Sequence, residues 1–275
     1  MTAKQVTPEG YLTEVGNVGS GIKKKFLVKI GEMSTGSDLN IPVVVTRGAK
    51  DGPTLFVAAG QHAEETGSIE AVKRFASKIK PEEISGTLIL VPLQNPGAWA
   101  FRSRLYPLDA PSVADIGSLG KGEAGGIMTA RALYALSDCI FKGSNYGIDV
   151  HATHLDSMNY PRTMTMITGN ESKTVHEKRI ELSYKAGYEV VHLWNVGKGR
   201  GGLTSIMNNR ECPTIAIEAG EGWRALDPFP SILIRGITNL CKATGLMTGE
   251  PDIPDVQVTV TKRYEIICNH GGFSN

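Results

Sequence analysis

No stretch of this chain runs uncharged and apolar for anything near the ~18 residues a membrane-spanning helix needs, so no membrane partner is expected. Cysteine is sparse. Cys139, Cys212, Cys241 and Cys268 lie far apart with no C-x-x-C pair, and read as buried thiols in a reducing, cytoplasmic setting more than as a disulfide framework. The opening "MTAKQVTPEGYLTEVG" lacks the apolar core of a secretory leader, so export is not expected either. Charge of one sign is also missing. With 29 basic and 28 acidic residues the formal charge is +1, which gives no overall bias towards nucleic acid, and no such partner is expected. There is no internal repeat, low-complexity tract or charge block. What is present is 275 residues, 41% of them hydrophobic, enough to bury one substantial core.

Patterning supplies the architecture. Alternating polar and apolar residues in "KKKFLVKIGE" and "NIPVVVTRG" predict an antiparallel hairpin region within residues 1–50. Short apolar runs follow, bounded by Gly, Pro or Asn: "TLFVAAG", "GTLILVPLQNP", "GIDVHA", "TMTMITG", "YEVVHLW" and "PTIAIEAG". Helical periods lie between several of them. Ile69, Val72, Phe75, Ala76 and Ile79 recur at helical spacing, and "GGIMTARALYALSDCIF" and "SILIRGITNLCKATGLM" are long enough for helices. This alternation predicts a three-layer α/β/α sandwich with a mixed, mostly parallel central sheet. Residues 105–127 and 195–205 are rich in Gly, Pro or Ser and read as long loops, either functional or tolerated insertions.

In open α/β sheets, ligands bind beyond the carboxyl ends of the strands. At those ends stand Gln61-His62-Ala63-Glu64-Glu65, Asn95-Pro96, His151 and Glu218. His62 and Glu65 are three apart, so a turn entering a helix can aim both the same way. The cluster is either a solvated turn whose acids favour a helix start or part of a metal site. An imidazole nitrogen, a carboxylate oxygen and a third ligand from His151 would leave a fourth position open, the pattern of a hydrolytic zinc site. Glu218 ends an apolar run; it is a strand-end acid bonded to a loop amide, or a general base.

"AAGQHAEETGSIEAV", "VPLQNPGAWAFRSRLYPLD", "GIDVHAT" and "PTIAIEAGEG", in this order, resemble the motifs of the aspartoacylase and succinylglutamate desuccinylase family, within the zinc-carboxypeptidase-like hydrolases. The likeness covers roughly residues 45 to 250. It implies one Zn2+ per chain on His62, Glu65 and His151, with Glu218 as catalytic base and acid. Arg104 falls nine residues after Asn95, as in the family's N-P-x-A-x-x-x-x-x-R pattern, and would stabilise the oxyanion. Glu64 would assist the ligands or cap the helix. Asp149 would orient His151, or face elsewhere. The implied activity is removal of an acyl group from an N-acyl amino acid or related small amine. Alternatives are carboxypeptidase-type cleavage of a small peptide or γ-glutamyl bond, and a non-catalytic zinc or ligand-binding protein on this scaffold.

One stretch departs from the pattern. Where the family shows an N-L-N-R clamp for a substrate carboxylate, this chain reads "APSVADIGS". Arg102, Arg162 and Arg200 are candidate replacements, and Asn95, His154 and Trp223 are further candidate substrate contacts. The catalytic domain is expected over 1–255. Residues 256–275 read as the start of a truncated or reduced C-terminal β segment. A homodimer is compatible with this class.

Overall fold

In the computed structural model, which describes residues 2–112, 114–196, 202–262 and 264, the strands share one sheet. They are β1 (Lys4–Val6), β2 (Ile22–Glu32), β3 (Asp38–Arg47), β4 (Lys50–Ala59), β5 (Ser85–Val91), β6 (Tyr146–His151), β7 (Met158–Ile167), β8 (Val190–Asn195), β9 (Thr214–Glu221) and β10 (Val258–Val260). Their order is β1-β2-β3-β5-β4-β6-β9-β7-β8-β10. The centre, β5-β4-β6-β9, is wholly parallel. Antiparallel pairings set it off on both sides: β2 with β3 and β3 with β5 at one flank, β9 with β7 at the other.

Seven α-helices cover the faces: α1 (Pro8–Gly16), α2 (Thr66–Lys78), α3 (Pro96–Ala100), α4 (Met128–Tyr134), α5 (Lys173–Lys185), α6 (Leu203–Asn209) and α7 (Phe229–Ala243), counted among the described residues. The period of two along the central strands explains the layering. Leu55, Val57 and Ala59 join the core beneath α2, α5 and α7, while Phe56 and Ala58 join the one beneath α1, α4 and α6. Both faces of β4 are buried, so its sequence is a continuous apolar run instead of an alternating one. On α2 the residues at helical spacing, Ile69, Val72, Phe75 and Ala76, are all buried. The expected mixed, mostly parallel sandwich is the fold observed. Among the described residues no helix is long and apolar enough to cross a membrane.

The structure differs from the pattern reading at several places. The hairpin β2–β3 forms, but residues 8–16 before it are helical; Thr7 accepts a hydrogen bond from the Gly10 amide at 3.0 Å and Pro8 opens the helix, start signals masked by the glycines within it, Gly10 and Gly16. The helix within 125–141 begins at Met128 and ends as a π-helical turn, Ala135–Ile140. Part of the loop 195–205 is the first turn of α6, and residues 197–201 lie outside the described residues. Near the C-terminus, β10 adds to the central sheet, parallel to β8. Of the segment read as 256–275, residues 263 and 265–275 lie outside the described residues.

Candidate active site

The parallel centre of the sheet delivers its polar residues to one rim. β4 ends at Ala59, and Gly60 follows with φ of +66°; a Cβ there would press on Ile69 and Leu93 at 3.0 Å, so glycine suits the tight exit. The chain then turns, with the Glu65 amide donating to the His62 carbonyl at 3.2 Å. Glu65 holds the N-cap position of α2, yet its side chain caps nothing and points into the cluster instead. His62 Nδ1 lies 2.8 Å from Glu65 Oε1, and His151 Nδ1, at the end of β6, lies 2.9 Å from Oε2. One ligand atom from each of the three lies within 4.8 Å of the others. All three residues are buried.

The outward nitrogens face carboxylates. His151 Nε2 is 3.2 Å from Asp149 Oδ2, and His62 Nε2 is 3.5 Å from Asp115 Oδ1. Asp149 itself accepts from Gln94 at 2.8 Å and Thr204 at 3.3 Å. Asp115 accepts from the Gly117 amide at 2.8 Å. A Cβ at Gly202 would fall 2.5 Å from the Gly117 carbonyl oxygen, so the two glycine-rich loops meet closely behind this acid. Each imidazole thus has an inner nitrogen towards Glu65 and an outer one towards an acid, the arrangement that orients histidine ligands in metal sites.

Electrostatics follow from this packing. For Glu65, burial acts to raise the pKa, but the two imidazoles outweigh it and hold the carboxyl well below its usual range. For His151, burial acts downward, while Asp149 and Glu65 push it well above the ordinary value. His62 is raised likewise, by Asp115 and Glu65 against burial. Asp115 is held at about 2, burial being overcome by its bond to His62.

Arg104 and Glu218 complete the cavity, whose volume is about 420 Å3. Arg104 Nη1 donates to Glu64 Oε1 at 2.6 Å and lies 3.3 Å from Glu65 Oε1, while Nη2 sits 3.3 Å from His62 Nε2. Glu64 therefore anchors the guanidinium and caps no helix. His154 lines the cavity, with Nδ1 3.3 Å from Glu64 and its side chain largely exposed. The buried Glu218, on β9, faces the same space and is bound by Arg162 and Asn159.

Other expected contacts stand elsewhere. Asn95 is buried, caps α3 by accepting from the Ala98 amide at 3.0 Å, and does not line this cavity. Arg102 lies 5.5 Å from the ring centre of Trp223, which in turn neighbours Trp99 at 6.3 Å; Arg102 and Trp223 are outside the cavity lining. Arg200 falls outside the described residues. Asp115 and Asn159 are not legible from the sequence pattern, since no spacing rule ties Asp115 to His62 or Asn159 to Glu218. The Pro161 that interrupts β7 was the available signal for the latter.

The sequence model described as succinylglutamate desuccinylase/aspartoacylase catalytic domain matches residues 51–228. The N-α-acetyl-L-2,4-diaminobutyric acid deacetylase of Halomonas elongata is 23% identical over 259 residues, covering 91% of this chain and 72% of that protein. Among solved structures, a succinylglutamate desuccinylase/aspartoacylase from Rhodobacter sphaeroides superposes with a TM-score of 0.79 at 20% identity, over 90% of this chain and 74% of the other. The product-bound ectoine utilization protein EutE from Ruegeria pomeroyi gives 0.76 at 17% identity, over 89% and 73%. The structural likeness establishes a common fold, and the sequence match spans the cluster, Arg104 and Glu218 together: this chain belongs to the succinylglutamate desuccinylase/aspartoacylase family.

Proposed function

We propose that the protein is a zinc-dependent amidohydrolase that removes an acyl group from the nitrogen of an amino acid or a related small amine. The observation that carries this reading is the His62–Glu65–His151 cluster facing, in one cavity, a carboxylate from a different strand, Glu218. Two imidazoles and one carboxylate are the donor set of a catalytic zinc, and outer acids on both imidazoles suit it further. Zinc held there would supply Lewis-acid chemistry, polarising and acidifying a bound oxygen. Glu218 takes the proton from the attacking water and later returns it to the departing nitrogen as the C–N bond breaks. Arg104 meets the negative charge that develops on the carbonyl oxygen. Its Nη1 is held by Glu64 and its Nη2 is turned towards the cluster, so the guanidinium is oriented before substrate arrives.

Charge in the cavity bears on the substrate. Among the described residues lining it, Arg104 is engaged by Glu64, Arg162 by Glu218 and Asp115 by His62. The named activity of the Halomonas relative supports an acylated amine carrying a second amino group. The test is amine release from N-acetyl and N-succinyl amino acids, acetylated diamines and diamino acids, dipeptides and γ-glutamyl peptides, by zinc-loaded protein beside a chelated control. Chelator-sensitive release, fastest from the acetylated diamino compounds, is expected. Cleavage of the peptides alone would replace the deacylase by a peptidase, and binding without turnover would favour a binding protein.

Metal uptake carries its own pH signature. Both imidazoles must be neutral to ligate, and in the metal-free protein both keep their protons to higher pH than an ordinary histidine. Zinc binding near pH 7 is therefore expected to release on the order of one to two protons per ion, and affinity to fall as pH falls. Calorimetry in buffers of differing ionisation enthalpy measures this; pH-independent uptake without proton release would contradict it.

A further inference from the structure

Arg162 stands directly across β7–β9 from Glu218, and Asn159 stands across from Gly220. Two residues on β7, Tyr160 and Pro161, thus lie opposite one on β9, Ala219, which marks a bulge. In a regular strand residues three apart point to opposite faces. The bulge re-aims them, and both side chains reach the same atom: Arg162 Nε at 3.0 Å, Arg162 Nη2 at 2.6 Å and Asn159 Nδ2 at 2.9 Å all donate to Glu218 Oε2. Arg162 Nη2 also donates to Asn159 Oδ1 at 3.3 Å, tying the two donors together. Among the described residues, Glu218 Oε1 has no hydrogen-bond partner, although the residue is only 5% exposed and lines the cavity.

The same network reaches the metal cluster. Asn159 Nδ2 donates to the Ala152 carbonyl, and the Ala152 amide donates to Glu65 Oε2 at 3.0 Å. The carboxylate on β9 and the one at the start of α2 are therefore linked through two residues, Asn159 and Ala152.

We propose that Arg162 and Asn159 are positioning residues that saturate Glu218 Oε2 and leave Oε1 as the oxygen that exchanges the proton. This rests on Glu218 being the base. It assigns Arg162 to the catalytic carboxylate and not to a carboxylate of the substrate, the two roles the residue could otherwise share.

The test compares Arg162→Met, Arg162→Lys and Asn159→Ala on two amide substrates, one bearing a carboxylate and one without. Positioning predicts that Arg162→Met lowers kcat by about 100-fold on both, within the range of general acid–base contributions, with KM nearly unchanged. Arg162→Lys recovers part of the loss, because a single ammonium replaces a two-point contact. Asn159→Ala loses about 10-fold, and the double variant loses less than the product of the single effects, as expected for groups acting on one oxygen. Zinc content and unfolding midpoints of Arg162→Lys and Asn159→Ala matching the native protein separate this from misfolding. A rise in KM confined to the carboxylate-bearing substrate, with kcat preserved, would overturn the proposal and make Arg162 a substrate clamp. Crystal structures of native protein and Arg162→Met give an answer that does not depend on turnover. Displacement of the Glu218 carboxylate in the variant is expected, and an unmoved carboxylate would overturn the proposal. If the native protein cleaves no amide at all, the deacylase reading falls while these structures still decide what holds Glu218.

Discussion

Glu218→Gln is expected to lower kcat by about three to four orders of magnitude while the protein retains its zinc, the upper range for a general acid–base group. The geometry explains why so conservative a change does so much. Three donor contacts converge on Oε2, so the amide oxygen of glutamine takes that place and its NH2 group takes the place of Oε1. An NH2 group offers no lone pair for a proton at the position facing the cavity. Shape, burial and the clamp persist, so KM and unfolding temperature should change little. Glu218 is not one of the three clustered residues proposed to hold the metal, so metal content should stay at the native level. Measured turnover close to native would remove Glu218 from the chemistry and with it the proposed mechanism.

His151→Ala should abolish both metal retention and activity. Loss of one of three protein ligands costs more than the roughly 10–100-fold in affinity that follows loss of an outer hydrogen-bond partner. An internal scale is available, because Asp149 touches only the outer nitrogen of His151. Asp149→Asn should therefore fall between native protein and His151→Ala in zinc affinity, and Asp115→Asn should behave similarly through His62. Competition with a chromophoric chelator gives the ranking. Equal affinity of His151→Ala and native protein would show that His151 is not a ligand. An Asp149→Asn variant weaker than His151→Ala would show that the buried acid, not the imidazole, holds the ion.

Much of the site could be read from the chain because central parallel strands are short and stop at one rim. Apolar runs from 54, 86, 147 and 213 announce β4, β5, β6 and β9, and the residues at the end of each run stand where ligands bind in such sheets. His62, Glu65, His151 and Glu218 come together for this reason. Arg104, reached through the family pattern, also lies at the cluster. The less legible parts depend on contacts distant in sequence. Asp115 meets His62 only because the loop around Gly117 packs against Gly202. Asn159 and Arg162 reach Glu218 only because β7 is bulged, and a bulge moves every residue beyond it to the other face. Asn95 shows the converse: an Asn-Pro after a strand reads as a rim residue, but the same pair is a helix start, and its side-chain oxygen is spent on the cap. Trp223 follows Glu218 closely in sequence, yet with φ of +53° the chain turns there and the ring stands beside Trp99 and Arg102.

One metal ion, held by His62, Glu65 and His151, is proposed to make this protein an amidohydrolase. Titrating zinc into metal-stripped protein while following amine release from an acetylated diamino acid tests it most directly. Expected are no release without metal, a linear rise to one equivalent of zinc per chain with a plateau beyond it, and no rise in the His151→Ala variant. Undiminished release from the stripped protein, or zinc-dependent release that survives His151→Ala, would contradict it.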